Sequence, residues 1–384
     1  MRLAIIRQRY NPYGGAERFI ERALKALRDR GAAVTIVARE WPGQSAAPAQ
    51  AIVCDPFFIG RLWRDAGFAR AVCRRLRTES FDLVQSHERL ACCDVFRAGD
   101  GVHRQWLENR ARAQSFPGRL GTRLHPFHAY LLAAERRMYA SPRLRAVICN
   151  SNMVRDDIVR HFGLDPARLE VIYNGVDLAQ FHPSLRDEFR AATRAGLGIG
   201  EDDPTYLFVG SGFARKGMPG LLRAFAAAAP AAAKLIVVGA DRRAGAAREL
   251  ARRLGCAGRV HFLGGRMDVR PYYAAADCFV LPTLYDPFPN AALEALACGL
   301  PVVTSRQCGA AELIEPGVNG FLCSAFDADD IAAALRRAAN LTGEPVRRAA
   351  RRSVEHLSIE AMAARLGGLY ARLTAHSSTG GRNS

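Results

Sequence analysis

The strongest constraint in this sequence is an order: short apolar runs alternate with helix-patterned segments, and the alternation starts twice. In the first block, residues 3–6, 33–38, 83–85, 146–149 and 169–172 read as strands. Helical periodicity occupies 16–30, 68–76, 130–139 and 151–161, with Gly31 ending the first of these helices and Ser151 placed to cap the last. A polar stretch covers 175–203. The second block then offers strands at 206–209, 235–238, 260–263, 278–281 and 302–304, with helices at 219–229, 244–254, 269–275 and 291–297. Strands that are apolar throughout need cover on both faces, and strict alternation with helices makes their sheet parallel. The expected fold class is therefore α/β, two Rossmann-like doubly wound parallel-sheet domains over 1–178 and 179–355, and 384 residues are enough for two cores. Two such sheets facing across a cleft bind ligands at the carboxyl ends of their strands. A last helix occupies 359–373, and 377–384 reads as a flexible tail.

Charge narrows the partner. The chain carries 54 basic against 37 acidic residues, a formal net charge of +17, and only Lys25, Lys216 and Lys234 are lysines. Such a balance suits a polyanion: nucleic acid, an anionic membrane face or a phosphorylated glycan. An apolar share of 49% excludes a disordered chain. The opening run, residues 1–7, is too short for a signal-peptide core, and the most apolar window, 224–240, holds Pro230 and Lys234. A cytoplasmic protein able to rest on a membrane is expected. Ten cysteines without a Cys-x-x-Cys spacing predict free buried thiols and no structural zinc.

Three loops carry the chemistry. Tyr10-Asn-Pro-Tyr-Gly-Gly-Ala-Glu17 joins the first strand to the first helix, and Gly14 and Gly15 let backbone approach a ligand where a helix start offers free N–H groups. It is neither a dinucleotide fingerprint nor a P-loop. Phe208-Val-Gly-Ser-Gly-Phe-Ala-Arg-Lys-Gly217 ends a strand in glycines, then places Arg215 and Lys216 where two cations can meet a pyrophosphate. In the third loop Asp286 follows a strand, and Asn290 and Ala291 open a helix whose Glu294 is a carboxylate among alanines and leucines. That carboxylate is costly unless paired, and it can accept from vicinal hydroxyls.

At these residues the chain resembles the retaining GT-B glycosyltransferases of family 4. Asp286 and Glu294 keep the spacing of that family's Glu-x7-Glu pair, with Asp in the first place. Gly14-Gly15, Arg215-Lys216 and Gly299-Leu-Pro-Val-Val303 match as well. The likeness covers essentially the whole chain, and the opening loop and basic character look most like lipopolysaccharide core glucosyltransferases. The resemblance implies a UDP-sugar donor as substrate, no cofactor, and no metal. It also implies roles. Glu294 would hold the ribose hydroxyls, and Asp286 the donor sugar, with a reach one methylene shorter. Arg215 and Lys216 would neutralise the diphosphate with help from Gly15 and the backbone after Asn290, and the segment around Phe262 would line the base. A helix within 356–376 would cross back to the first domain.

The acceptor side rests on Asp100 and His103, in a glycine-flexible loop after a strand-like 93–96 segment. Asp100 would orient or deprotonate the acceptor hydroxyl, and His103 would touch donor sugar or phosphate. Glu17 is a further acceptor-side candidate, while His87 and Glu88 end a strand without a clear role. Nine arginines between Arg104 and Arg145 face only Glu108 and Glu135, with Trp106, Phe116, Phe127 and Tyr130 interspersed. This stretch would dock an anionic membrane surface or a lipid-linked phosphorylated glycan. The expectation is a monomer or weak dimer, peripherally bound to the inner face of the inner membrane. Glucose from UDP-glucose is the first donor reading; UDP-N-acetylglucosamine, UDP-galactose and GDP-mannose are the alternatives. A nucleic-acid-binding module would explain the charge but not the three ordered loops, and a UDP-sugar hydrolase or epimerase would share the fold.

Overall fold

The computed structural model describes residues 1–8, 31–40 and 50–379. These divide into two compact units, residues 1–175 with 359–384 and residues 176–358. In the first unit, strands β1 (Arg2–Ile6), β2 (Ala33–Ala38), β3 (Gln50–Val53), β4 (Leu83–Ser86), β5 (Val95–Arg97), β6 (Ala146–Cys149) and β7 (Leu169–Val171) form one parallel sheet in the order 3-2-1-4-5-6-7. The chain reverses its direction of travel across the sheet between β1 and β4.

Alternation within each strand sends side chains to opposite faces. Ala4 and Ile6 join Val84, Phe96 and Val147 on one face, beneath Phe68 and Val72 of α1 (Gly60–Arg75). The α-helices that follow are α2 (His103–Arg112), α3 (Phe116–Leu124), α4 (Pro126–Tyr139) and α5 (Asn152–Phe162). Met138 and Tyr139 of α4 and Val154 and Ile158 of α5 complete that layer. Leu3 and Ile5 turn the other way with Leu83, Val95 and Ile148, onto Met362, Leu366, Leu369 and Tyr370. Those four belong to the C-terminal helix, Ile359–Thr379, whose Tyr370 hydroxyl donates to Gln85 on β4. Ser151 caps α5, its Oγ accepting from the Val154 N–H at 3.2 Å.

The second unit opens with α6 (Leu185–Leu197), inside the stretch that shows no clear pattern in the sequence. Its anchor is ionic rather than apolar: Arg190 and Arg194 each reach Asp277 at 2.7 Å, and the Asp277 carboxylate also accepts the Thr205 N–H. Strands β8 (Thr205–Val209), β9 (Lys234–Val238), β10 (Val260–Gly264), β11 (Cys278–Leu281), β12 (Val302–Ser305) and β13 (Gly320–Cys323) form a parallel sheet in the order 10-9-8-11-12-13. Helices α7 (Met218–Ala228), α8 (Ala244–Arg253), α9 (Arg270–Ala275), α10 (Asn290–Ala297), α11 (Ala328–Ala339) and α12 (Glu344–Arg352) follow, and the C-terminal helix is α13. The doubly wound parallel class expected from the alternation is the one that forms.

One expectation is corrected. Cys73 on α1 and Cys92 form a disulfide, so not every cysteine is a free thiol. The other eight are free and buried, and burial raises the thiol pKa of Cys93, Cys149 and Cys323 to about 12. Folding turns a helix flank toward the loop after β4, a proximity that a separation of 19 residues does not announce.

Candidate active site

In an open parallel sheet, the loops at the reversal point splay apart and leave a crevice at the strand ends. In the second unit that point lies between β8 and β11, which pair directly. The loop after β8 carries Gly210 to Gly217, and the loop after β11 carries Asp286; both therefore leave the same edge. Four contacts bind them together. The Arg215 carbonyl accepts from the Leu284 N–H at 2.8 Å and from the Thr283 hydroxyl at 3.0 Å. Arg215 Nη1 donates to the Tyr285 carbonyl at 3.0 Å and to Asp286 Oδ2 at 3.3 Å.

Lys216 Nζ lies 3.4 Å from the same Asp286 oxygen. Asp286 is only 6% exposed, and both cations converge on it. Backbone sterics make this approach possible. Gly217, at φ +79°, sits where a Cβ would fall 1.9 Å from the Pro282 carbonyl oxygen, so any other residue would push the two loops apart.

A second carboxylate fixes the glycine loop from β9. Asp241 Oδ2 accepts the Gly212 and Phe213 N–H groups at 2.7 and 2.8 Å, and Oδ1 accepts that of Arg243 at 2.6 Å. These backbone bonds outweigh partial burial and hold its carboxyl below the usual range. The Gly212 and Phe213 N–H groups of the loop are thus engaged internally.

Glu294 stands on α10, half-buried, where Oε2 accepts from the Tyr273 hydroxyl at 2.9 Å. Tyr273, on α9, also contacts the Ala291 carbonyl at 3.1 Å. Asn290 and Ala291 start α10 without a side-chain cap hydrogen bond. Phe262 lies in the middle of the edge strand β10, just before the register against β9 shifts. The guanidinium of Arg248 covers its ring, 5.4 Å from the centroid. The structure therefore brings Arg215, Lys216 and Asp286 into contact, with Glu294 one helix turn beyond Asn290. Asp241 and Tyr273 escaped the sequence reading. A Tyr pair on a short helix and a lone Asp after a strand are weak signals.

In the first unit, the reversal point brings the ends of β1 and β4 together. Glu88 Oε1 accepts the Gln8 N–H there at 2.9 Å, and burial raises its carboxyl pKa, with Asp100 adding to the rise. His87 is held neutral, its pKa far below normal through burial and the nearby Arg7 and Arg97. Asp100 is exposed in the loop after β5, and Arg89 braces that loop through the Gly101 carbonyl at 3.3 Å. His103 is buried at the start of α2. Its Nε2 lies 3.2 Å from His128 Nδ1, and its backbone N–H donates to Glu135 at 2.8 Å. Burial, then Arg89 and His128, lower its pKa to about 3, so near neutral pH it is a neutral imidazole. Gly14, Gly15 and Glu17 lie outside the described residues.

Glycine-rich loop, paired cations and helix-borne carboxylate on a doubly wound sheet, with the relatives below, define a nucleotide-sugar-dependent glycosyltransferase of the GT-B fold. The profile described as Glycosyltransferase Family 4 matches residues 13–180, and that of Glycosyl transferases group 1 matches 203–340. Lipopolysaccharide glucosyltransferase WaaG of Escherichia coli (strain K12) is 27% identical over 360 residues, 93% of this chain and 94% of the relative. D-inositol 3-phosphate glycosyltransferase of Rhodococcus opacus (strain B4) is 36% identical over 215 residues, spanning 53% of this chain and 47% of that protein. The crystal structure of WaaG, a glycosyltransferase involved in lipopolysaccharide biosynthesis, superposes with a TM-score of 0.80 at 25% identity, covering 96% of this chain and 99% of its own. The chain is thus a GT-B glycosyltransferase related to family 4 and to the WaaG-like glucosyltransferases.

Proposed function

We propose that this enzyme transfers glucose from UDP-glucose, with retention of anomeric configuration, to the lipopolysaccharide core or a related lipid-linked glycan. The observation that carries the reading is the convergence of Arg215 and Lys216 on Asp286 beside the α10 start. Two side-chain cations in a partly buried loop can take the charge that develops on a departing diphosphate. A UDP diphosphate would draw Arg215 and Lys216 toward its oxygens, and Asp286 would then accept from hydroxyls of the sugar. Glu294, oriented by Tyr273, would accept from the ribose hydroxyls. Asp100 would receive or orient the acceptor hydroxyl. The base would lie along the backbone near Phe262, and the Gly14–Gly15 loop would complete the phosphate site.

The likeness to WaaG along nearly all of both chains supports the glucosyl donor and the core acceptor. An anionic membrane surface is the proposed setting, at the inner face of the inner membrane. On α3, Phe116, Leu120 and Leu124 recur every fourth residue and are 78%, 49% and 71% exposed. Arg119 and Arg123 lie between them on the same short helix. Such a helix can bury its apolar stripe at a lipid interface while its arginines meet anionic headgroups. No described helix is long and apolar enough to cross a membrane.

The test is a donor screen with UDP-glucose, UDP-galactose, UDP-N-acetylglucosamine and GDP-mannose against truncated core acceptors, with the product linkage determined by NMR. Glucosyl transfer with an α-linked product is expected. Transfer only from another donor would overturn the glucose assignment, and free sugar without transfer would make the enzyme a hydrolase.

A further inference from the structure

The first unit holds a cavity that none of the donor-site residues line. Helices α2, α4 and α5 border a half-open cleft of about 280 Å³, lined among others by Arg104, Glu135, Arg136, Tyr139 and His161. Glu135 is the one acid in that lining, and its charge is engaged from behind. Its Oε1 accepts from Arg89 Nε at 3.2 Å and from the His103 N–H at 2.8 Å, and its Oε2 from the Arg104 N–H at 3.4 Å. The guanidinium groups of Arg104 and Arg136 make no hydrogen bond or ion pair among the described residues. His161 borders the cleft and is held by Gln105, 2.9 Å from its Nε2. Two like charges therefore line one small space, with the nearest acid already satisfied.

We propose that this cavity binds a phosphate monoester. A dianion answers two guanidinium forks, whereas a phosphodiester offers a single charge. The volume lies at the small end of ligand pockets, which suits a phosphorylated monosaccharide rather than a nucleotide. The inference goes beyond the transferase reading and stands without it; if that reading holds, the monoester belongs to the phosphorylated acceptor glycan. Binding also makes a prediction about His161. Burial first, then Arg160 on α5 and Arg104 on α2, lower its pKa, against an opposite pull from Glu108 on α2 and Glu135 on α4. A bound dianion adds negative charge beside the ring, so the His161 pKa must rise on binding.

Calorimetry of the full chain with glucose 6-phosphate, glucose and inorganic phosphate tests the site. Wild type should bind glucose 6-phosphate and not glucose, with inorganic phosphate competing. The double variant Arg104→Gln/Arg136→Gln should lose at least tenfold in affinity at an unchanged melting temperature. NMR titration of wild-type His161 should show its pKa raised by the ligand, a readout that needs no variant. Vesicles of phosphatidylglycerol separate the lipid source: their binding should be unchanged in the double variant. The proposal is overturned by absent binding in wild type, by affinity retained in the double variant, or by an unmoved His161. Loss of vesicle binding alone would likewise reassign the two arginines to lipid headgroups.

Discussion

Glu294 was legible in the sequence because a carboxylate on an otherwise apolar helix demands a partner. The structure supplies a protein partner in Tyr273 and leaves the residue half-buried, as a group shared between fold and ligand would be. Glu294→Ala removes the proposed ribose acceptor, yet Tyr273 keeps the Ala291 carbonyl. Charged hydrogen bonds of this kind contribute about 1.5–3 kcal/mol, so UDP should bind roughly 10- to 100-fold more weakly. Transfer should be abolished and the circular-dichroism melt should stay close to wild type; unchanged turnover would refute the donor assignment. His103 shows the opposite case, since its type was visible and its environment was not. Three chain segments, the loop after β4, α2 and α4, bury it against His128, Arg89 and Arg110. Its folded pKa, about 3, lies below the ordinary value of 6.5, so the unfolded chain binds the extra proton between those values. Stability from this group is complete above pH 6.5 and falls as pH drops toward 3. Denaturant titrations at pH 7.5 and 5.5 should differ by about 1 kcal/mol more in wild type than in His103→Gln.

Ionic burial hid some elements from the sequence, and β13 and α11 passed unread although theirs is apolar. Strands β8 and β11 announce themselves because both faces are covered by hydrocarbon. The exposed edge strand β3 does not, and neither does α6, whose buried Arg194 faces Asp277. Asp277 receives Arg190 and Arg194 at 2.7 Å and the Thr205 N–H at 2.9 Å. Asp277→Asn would leave those guanidinium groups buried against one neutral oxygen, at a cost of about 3–5 kcal/mol. Urea unfolding should detect it, and a change below 1 kcal/mol would show that α6 is held by other contacts. Loops obey a related rule, because their geometry is set from outside their own sequence. Asp241, on the loop after β9, holds the glycine loop through Gly212 and Phe213. Asp241→Asn keeps the shape and loses the charge. The KM for the nucleotide-sugar should rise about tenfold, since a charge-assisted bond contributes about 1.5 kcal/mol. The melting temperature should barely move, and an unchanged KM would leave Asp241 with a purely local turn.

At the scale of the whole chain, the alternation gave the two sheets away, whereas the +17 had no address until side chains were placed. Much of it is answered locally: Arg186, Arg190 and Arg194 surround Asp277, and Arg215 and Lys216 share Asp286. What stands out on the first unit is the region of α3 and its neighbours, where arginines accompany exposed apolar side chains. The two kinds of positive charge respond differently to salt. Exposed charges more than a Debye length apart, about 8 Å at physiological ionic strength, are screened, and partly buried pairs are screened much less. Raising sodium chloride from about 50 to about 500 mM, a range that shortens the Debye length roughly threefold, should therefore release the enzyme from phosphatidylglycerol vesicles. The donor KM, measured with a short soluble acceptor, should change less than about threefold, because Lys216 and Asp286 are largely shielded from solvent. Replacing Phe116, Leu120 and Leu124 by serine should weaken vesicle binding at every salt concentration without touching the donor KM. If salt instead moves both quantities together, the excess charge acts at the donor loops, and the proposed membrane role of α3 is refuted.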